Sequence, residues 1–395
     1  MIKSVNELDL NGKRVLTRVD FNVPIKDGVI TDDARVVRSL PTINTIIKAG
    51  GVPILISHLG RPKEGREPKF SLRIVAELLA KKYGYKVKFI ENLLSESAEK
   101  LTKEAVNGEI LLFDNIRFYP GETKNDAELA KDLAKLGDVY VNDAFGSAHR
   151  AHSSTEGVAH LFPERGMGLL LQNELEFLNK VIKDPVKPFT VILGGAKVSD
   201  KIGVIKNIIN KCQNILIGGG MSFTFLKALG NEVGKSLVED EQLELTKELI
   251  ADAKAKNVNL ILPKDIIVTD KYEDTPDKNE VSISEIPADK MGLDIGKNTI
   301  EDFKKYILDS KTIFWNGPMG VFEFKNFADG TNEVANAVVE STKNGAISII
   351  GGGDSASAIK KLGYEAAVSY VSTGGGASLE FLEGIELPGV KALEI

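Results

Sequence analysis

Cysteine is almost absent from this chain: Cys212 is the only one among 395 residues. That excludes an intramolecular disulfide framework and a multi-cysteine zinc site. Long apolar runs are missing as well, and none approaches the ~20 residues of a membrane span. The opening segment MIKSVNELDL lacks the apolar stretch of a signal peptide. A cytoplasmic location with no membrane partner is therefore expected. The net charge is −6, and no basic run is interleaved with aromatics, so nucleic acid is not an expected partner. Common nucleotide-binding motifs fail too. No GxGxxG follows a strand-like segment. GNEVGKS (230–236) has three residues between its glycines where a phosphate-binding P-loop needs four, and it follows a helical pattern. It reads as a helix stop and a surface loop. No HRD or DFG set is present.

Arginine is scarce and unevenly placed. There are ten arginines against forty lysines, and all ten fall between Arg14 and Arg165. All four histidines (His58, His149, His152, His160) share that stretch. Residues 1–170 carry 25 basic and 23 acidic side chains, whereas residues 171–395 carry 25 and 33. A planar guanidinium orients carboxylate or phosphate in a way that lysine does not. The first half therefore reads as the site for a small anion.

What is present is a chain 43% apolar, long enough for two or three domains, in which short apolar runs alternate with helical patterns. Strands are expected at 14–23, 52–58, 86–90, 109–115 and 139–145, then at 189–195, 214–220, 259–268, 311–318, 346–353 and 368–376. Helices between them include LPTINTIIKAG, with Pro41 suited to a first turn and Gly50 to its end, and SLRIVAELLAKKYG, with Ser71 as N-cap and Gly84 as stop. The pattern predicts an α/β fold with parallel sheets. LLLQNELEFLNKVIKD reads as a helix leading into the proline-rich DPVKP, which places a linker near 170–188.

Four strands of the second half end in glycine, at 194–195, 218–220, 351–353 and 374–376, each ahead of a helical pattern. In a parallel sheet these turns share one edge, where glycine lets a ligand approach free N–H groups at helix N-termini. One such turn has an adequate structural explanation; four favour a polyphosphate ligand. Lys197 and Lys201, four apart on the expected helix, would share a face beside the first turn. The plain alternative is a pair of solvated lysines. Asp354 serves equally well as a helix N-cap or as a carboxylate toward Mg²⁺. Glu323, after Trp315-Asn316-Gly317-Pro318, could bond a ribose hydroxyl or simply face solvent. In the first half, Asp20-Phe21-Asn22, Arg35, His58-Leu59-Gly60-Arg61, Arg117 and His149-Arg150-Ala151-His152 recur at strand ends or the loops beyond them. Together they point to an anion pocket at the sheet's carboxyl edge. His149-x-x-His152 lacks a third metal-ligand pattern, and Cys212 reads as core.

The segments RVDFNVP (18–24), SHLGRP (57–62), GSAHRAHSS (146–154), LGGAKVSDKI (193–202), IGGGMSFTFLK (217–227), WNGPMGVFE (315–323), IGGGDSA (350–356) and STGGGASLE (372–380) resemble the signature segments of the phosphoglycerate kinase family, in the family order. The resemblance implies two Rossmann-like, three-layer domains joined by a helix and able to bend at a hinge. It places a phosphoglycerate-binding domain at 1–169 with a returning tail at 382–395, a connecting segment at 170–188 and a nucleotide-binding domain at 189–381. It implies transfer between 1,3-bisphosphoglycerate with ADP and 3-phosphoglycerate with ATP, Mg²⁺ with the nucleotide, and a monomer. By motif, Asp20, Phe21, Asn22, Arg35, His58, Leu59, Gly60, Arg61, Arg117 and Arg150 would hold phosphoglycerate. Gly195, Lys197, Lys201, Gly218, Gly292, Asn316, Glu323, Gly352, Gly353, Asp354 and Ser355 would serve the nucleotide, with Asp354 toward the metal. Gly292 lies in KMGLDIG, which by itself reads as a loop. Departures from the family pattern are Asp114 and Pro120-Gly121 in DNIRFYPGET, and Ser355 where many members carry Thr.

An acyl phosphate is already activated, so catalysis is expected to be positioning and charge stabilisation. Arg35, Lys197 and the N–H groups of Gly374, Gly375 and Gly376 are the expected stabilisers. Two other classes compete: a nucleotide-dependent kinase of another phosphorylated carboxylate, and a catalytically silent two-lobed binding protein.

Overall fold

The computed structural model describes residues 1–63 and 65–395. It has two compact units, Met1–Glu176 with Glu386–Ile395, and Phe177–Ile385. The helix Leu169–Ile182 contributes to both, where the sequence suggested a separate connecting segment over 170–188.

The first unit is built on a seven-stranded parallel sheet. Its spatial order is Lys3–Ser4, Arg165–Met167, Val139–Asn142, Arg14–Arg18, Val52–Ile56, Glu109–Phe113, Lys86–Ile90. VPILI and EILLF are buried along their whole length, as strands covered on both faces must be. From Arg14–Arg18 the chain builds outward through Val52–Ile56, then returns to the other side at Val139–Asn142. The switch point therefore lies between Arg14–Arg18 and Val139–Asn142, and a crevice opens beyond their carboxyl ends.

The second unit carries a six-stranded parallel sheet ordered Asn259–Ile261, Asn214–Ile217, Phe189–Leu193, Thr312–Asn316, Ile347–Gly351, Tyr370–Val371. Its switch point lies between Phe189–Leu193 and Thr312–Asn316, so Gly194-Gly195 and Gly317 meet there. A separate three-stranded antiparallel sheet is ordered Asn279–Ser282, Asp265–Thr269, Met291–Ile295.

Four expectations need correction. The run at 259–268 is not one strand: it divides into Asn259–Ile261 and Asp265–Thr269, in different sheets. Pro263 between them has no N–H with which to continue a ladder. KMGLDIG is not a loop but the strand Met291–Ile295. Its partner, Asp265–Thr269, lies more than twenty residues away, so no local period announces it. The first long helix begins at Ala34, which leaves Pro41 in its interior rather than its first turn. The helix after Gly194-Gly195 starts only at Ile202. Lys197 is thus outside it and does not share a helical face with Lys201.

Candidate functional site

In the first unit, strand ends and the loops beyond them converge on a concavity of about 320 Å³. Asp20, Asn22, Arg35, His58, Gly60, Arg61, Arg117 and Arg150 line it. Gly146, Ser147, His149 and His152 complete the wall. GSAHRAHSS had marked that loop, but its small residues carry no signal of their own. Phe21 and Leu59 do not line the pocket; both side chains are buried in the apolar core.

The scaffold beneath is hydrogen-bonded throughout. Ser57 Oγ accepts from Phe21 N–H at 2.8 Å, and Asn22 Oδ1 accepts from Gly60 N–H at 2.8 Å. These bonds tie the first two strand ends together. Arg35 Nη1 donates to Asp20 Oδ2 at 2.5 Å. Burial opposes the charge on Asp20, but Arg35 and Arg18, with the Asn22 N–H, outweigh it and hold this carboxyl below its usual range. Asn115 Oδ1 accepts from Arg117 N–H, and Arg117 Nη1 donates to Gly60 O at 2.7 Å. The buried Arg117 Nε has no hydrogen-bond partner among the described residues. Burial pulls His152 down to about 4, reinforced by Arg18 and Arg117. Burial also pulls His58 well below its ordinary value, again with Arg18 adding to the effect. Both rings are neutral near pH 7, so the pocket's positive charge is the arginines' own.

In the second unit, a cavity of about 390 Å³ lies outside the carboxyl edge of the six-stranded sheet. Gly195, Gly292, Glu323 and Asp354 line it, with Gly219, Gly220, Lys235 and Asp294. One wall is apolar: Phe223, Leu237, Ile266, Met291, Leu293, Met319 and Val321. That wall fits a flat, weakly polar ring, and sequence reasoning missed it. At a strand end, Gly194 N–H donates to Asn316 O, Gly195 N–H to Pro318 O and Gly219 N–H to Met319 O, at 2.9–3.0 Å. A Cβ on Gly317 would lie 2.2 Å from Gly194 O. Part of the glycine content therefore serves backbone packing between neighbouring turns rather than a ligand. Gly218 belongs to this class: Met319 covers it, and it does not line the cavity.

Lys201 is buried, and its Nζ donates to Asn316 Oδ1. Burial pulls this ammonium down in pKa, against Asp200, Asp354 and Glu383. Lys197, by contrast, is exposed. Gly352, with φ +87°, abuts Asn316 Nδ2 and is the N-cap of the helix Gly353–Lys361. Asp354 is therefore in the first helical turn and is not the N-cap. Ser355 is buried and its Oγ accepts from Gly317 N–H at 2.6 Å. Gly374 is the N-cap of Gly375–Leu382, so Gly374, Gly375 and Gly376 form a helix start.

No group of three or more His, Cys, Asp or Glu side chains able to hold a metal ion occurs among the described residues. Asp354 lines the cavity as the one carboxylate in the turn after Ile347–Gly351, while Asp294 and Glu323 line it from other elements. One carboxylate suits a Mg²⁺ ion that takes its other ligands from phosphate and water. Cys212 is buried, and burial raises its thiol to about 12, so it is inert core. No helix among the described residues is long and apolar enough to cross a membrane.

Residues 5–385 match the family model for phosphoglycerate kinase. A protein of that name from Thermosipho africanus is 54% identical over 391 residues, covering 99% of this chain and 97% of its own. One from Clostridioides difficile is 50% identical, covering 99% and 98%. The solved structure of phosphoglycerate kinase from Coxiella burnetii superimposes with a TM-score of 0.90 at 43% identity, covering 100% of this chain and 99% of that one.

Proposed function

The chain belongs to the phosphoglycerate kinase family, and from that premise we propose how its two pockets divide the reaction. The reaction is the glycolytic one: reversible phosphoryl transfer between 1,3-bisphosphoglycerate with ADP and 3-phosphoglycerate with ATP. In our reading the arginine pocket of the first unit holds the phosphoglycerate, through Asp20, Asn22, Arg35, His58, Gly60, Arg61, Arg117 and Arg150. Phe21 and Leu59 contribute backbone only. The cavity of the second unit takes the nucleotide, its base against the apolar wall and Glu323 at the ribose. Gly195, Lys197, Lys201, Asn316, Gly352, Gly353 and Ser355 serve the phosphates.

Asp354 would hold Mg²⁺, which when bound neutralises charge on the phosphate oxygens. The protein's own task is positioning and charge stabilisation. The acyl phosphate needs no general base, and Arg35, Lys197 and the N–H groups of Gly374–Gly376 stabilise the charge on the transferring phosphoryl. Because each substrate belongs to a different unit, transfer requires the units to close and bring the reacting oxygens in line. We further read the enzyme as a cytoplasmic monomer.

The observation that carries this reading is the convergence of Arg35, Arg61, Arg117 and Arg150 on one concavity at the sheet's switch point. Coupled assay of ATP formation tests it. Arg35→Ala should lower kcat by roughly 100-fold, as loss of a charge-stabilising donor does, with the KM for ADP nearly unchanged. Near-normal turnover would remove Arg35 from the chemistry. Equal activity on other phosphorylated carboxylates would reassign the pocket.

A further inference from the structure

Arg18 has no place in the substrate pocket, yet it lies directly beneath it. It is fully buried. Its Nε donates to Ser154 Oγ at 2.8 Å, its Nη1 to Val19 O at 2.5 Å, and its Nη2 meets His58 Nδ1 at 3.0 Å. A guanidinium offers donors only and keeps its proton in proteins. Nδ1 of His58 is therefore the acceptor and carries no hydrogen. Ser154 Oγ has accepted from Arg18, so its own hydrogen goes to Glu122 Oε1 at 2.6 Å, while Ser154 N–H donates to Glu122 Oε2 at 3.0 Å. Both carboxylate oxygens of the fully buried Glu122 thus accept from Ser154; burial pushes its pKa up, opposed by Arg18 and by the two Ser154 donors. A buried carboxyl and guanidinium bridged by one hydroxyl thus run under the pocket and end on His58.

We infer that Glu122, Ser154 and Arg18 form a positioning chain that holds His58 as a neutral imidazole with its proton on Nε2, so that the ring donates to the anionic substrate. This rests on assigning the pocket to phosphoglycerate. His58 lines that pocket, and Nε2 is the ring's remaining polar atom. The opposite tautomer would present a lone pair to an anion, and an untethered ring would exchange between the two. The chain has to be complete, because a fully buried guanidinium left without its carboxyl partner is strongly destabilising.

The surroundings keep the ring uncharged. Arg18 and Asp20 face it from the strand Arg14–Arg18 and the segment beyond it, Arg35 from the helix Ala34–Lys48, and Arg117 from beyond Glu109–Phe113; Arg61, Arg150, His149 and His152 share the pocket. Burial and the three arginines Arg18, Arg117 and Arg35 oppose protonation, and Asp20 alone among these favours it.

Nitrogen-15 NMR of the histidine-labelled enzyme tests the inference, with His58 assigned by its loss in His58→Gln. Expected is a single neutral Nε2–H tautomer through the ordinary histidine range around pH 6.5 and above, with Nε2 shifting on addition of 3-phosphoglycerate. Ser154→Ala cuts the bridge. It should give mixed tautomers or a titration inside that range, and raise the KM for 3-phosphoglycerate about tenfold while the KM for ATP holds. His58→Gln, whose amide nitrogen can reach the Nε2 position, should keep more activity than His58→Asn, whose amide reaches only Nδ1. A proton on Nδ1, or ordinary titration near pH 6.5 in the wild type, would overturn the inference whether or not the variant folds. So would a Ser154→Ala enzyme with unchanged tautomer and KM. The expected tautomer with no response to 3-phosphoglycerate would instead overturn the pocket's assignment.

Discussion

Single atoms decide much in the cavity proposed for the nucleotide. Gly292 N–H donates to Ser236 Oγ at 2.9 Å, and a Cβ there would stand 2.2 Å from the Phe223 ring and 2.6 Å from Ile266. Gly292→Ala must therefore push Phe223 into the cavity or open the antiparallel sheet. The expected cost is about 1–3 kcal/mol, seen as a tenfold or greater loss of ADP affinity in calorimetric titration with 3-phosphoglycerate binding intact. Unchanged ADP affinity would mean that the wall yields elsewhere. A different residue-scale effect comes from Asp143, which is fully buried at the start of the helix Leu169–Ile182. Its Oδ1 accepts from Leu170 N–H at 2.9 Å, and its Oδ2 has no hydrogen-bond partner among the described residues. Burial raises it to about 7, against the Thr42 hydroxyl and the Leu171 and Leu170 amides. Burial likewise raises Asp294 to about 7. The folded state then holds these protons more tightly than the unfolded chain does. Their stabilising share is full below about pH 4 and is lost as pH rises through about 7. Asp143→Asn removes one share, so the variant should gain on the wild type by up to ~4 kcal/mol between pH 4 and 8 in urea unfolding. A difference independent of pH would show that Asp143 titrates alike in both states.

Elements set where those atoms stand. Every strand of both main sheets runs parallel, so the turns after them collect at one edge. The helix Ala34–Lys48 presents Arg35 in its first turn and buries Val36, Ile43 and Ile46. Pro41 interrupts it at an exposed position. Proline there removes the N–H that would bond the carbonyl four residues back. Pro41→Ala restores that donor, at the expense of a looser unfolded chain. A net gain of about 1 kcal/mol is expected in urea unfolding, with the KM for 3-phosphoglycerate unchanged. Lower stability would mean that the packing of Val36 and Ile43 depends on a bend at Pro41.

For the whole molecule, the decisive feature is that the chain's end belongs to its beginning. Gly389 N–H donates to Ala148 O at 2.9 Å, Asn142 Nδ2 donates to Gly389 O at 3.1 Å, and Arg165 Nη2 donates to Glu394 O at 2.7 Å. Leu387 and Leu393 are buried. Ala148 sits in the loop that supplies Ser147, His149 and Arg150 to the anion pocket. Deleting residues 386–395 should cost the first unit upwards of about 4 kcal/mol from the two leucines alone. Calorimetry should show an earlier transition, with weakened 3-phosphoglycerate binding and near-normal ADP binding. Retained phosphoglycerate affinity would separate the tail from the pocket. Arg165 also explains part of the arginine skew: like Arg14, which holds Asp138 through Nε and Nη2, it is spent on structure.

By itself the sequence determined the α/β class, the chain order of most of the main strands, the arginine-rich makeup of the first half and the family. Fully buried parallel strands appear as short apolar runs, and the signature blocks are contiguous, so local reading reaches them. It also located the pocket's arginines, because residues at parallel strand ends meet wherever the sheet forms. Only the tertiary structure decided which glycines pack against backbone and which face a cavity, that 291–295 is a strand, that Lys197 stands off the helix, and that Arg18 reaches His58. Each of these depends on partners far apart in the chain, such as Arg18 with Ser154 or Gly292 with Phe223. No local period encodes such a pairing; it exists only once the core has closed around it.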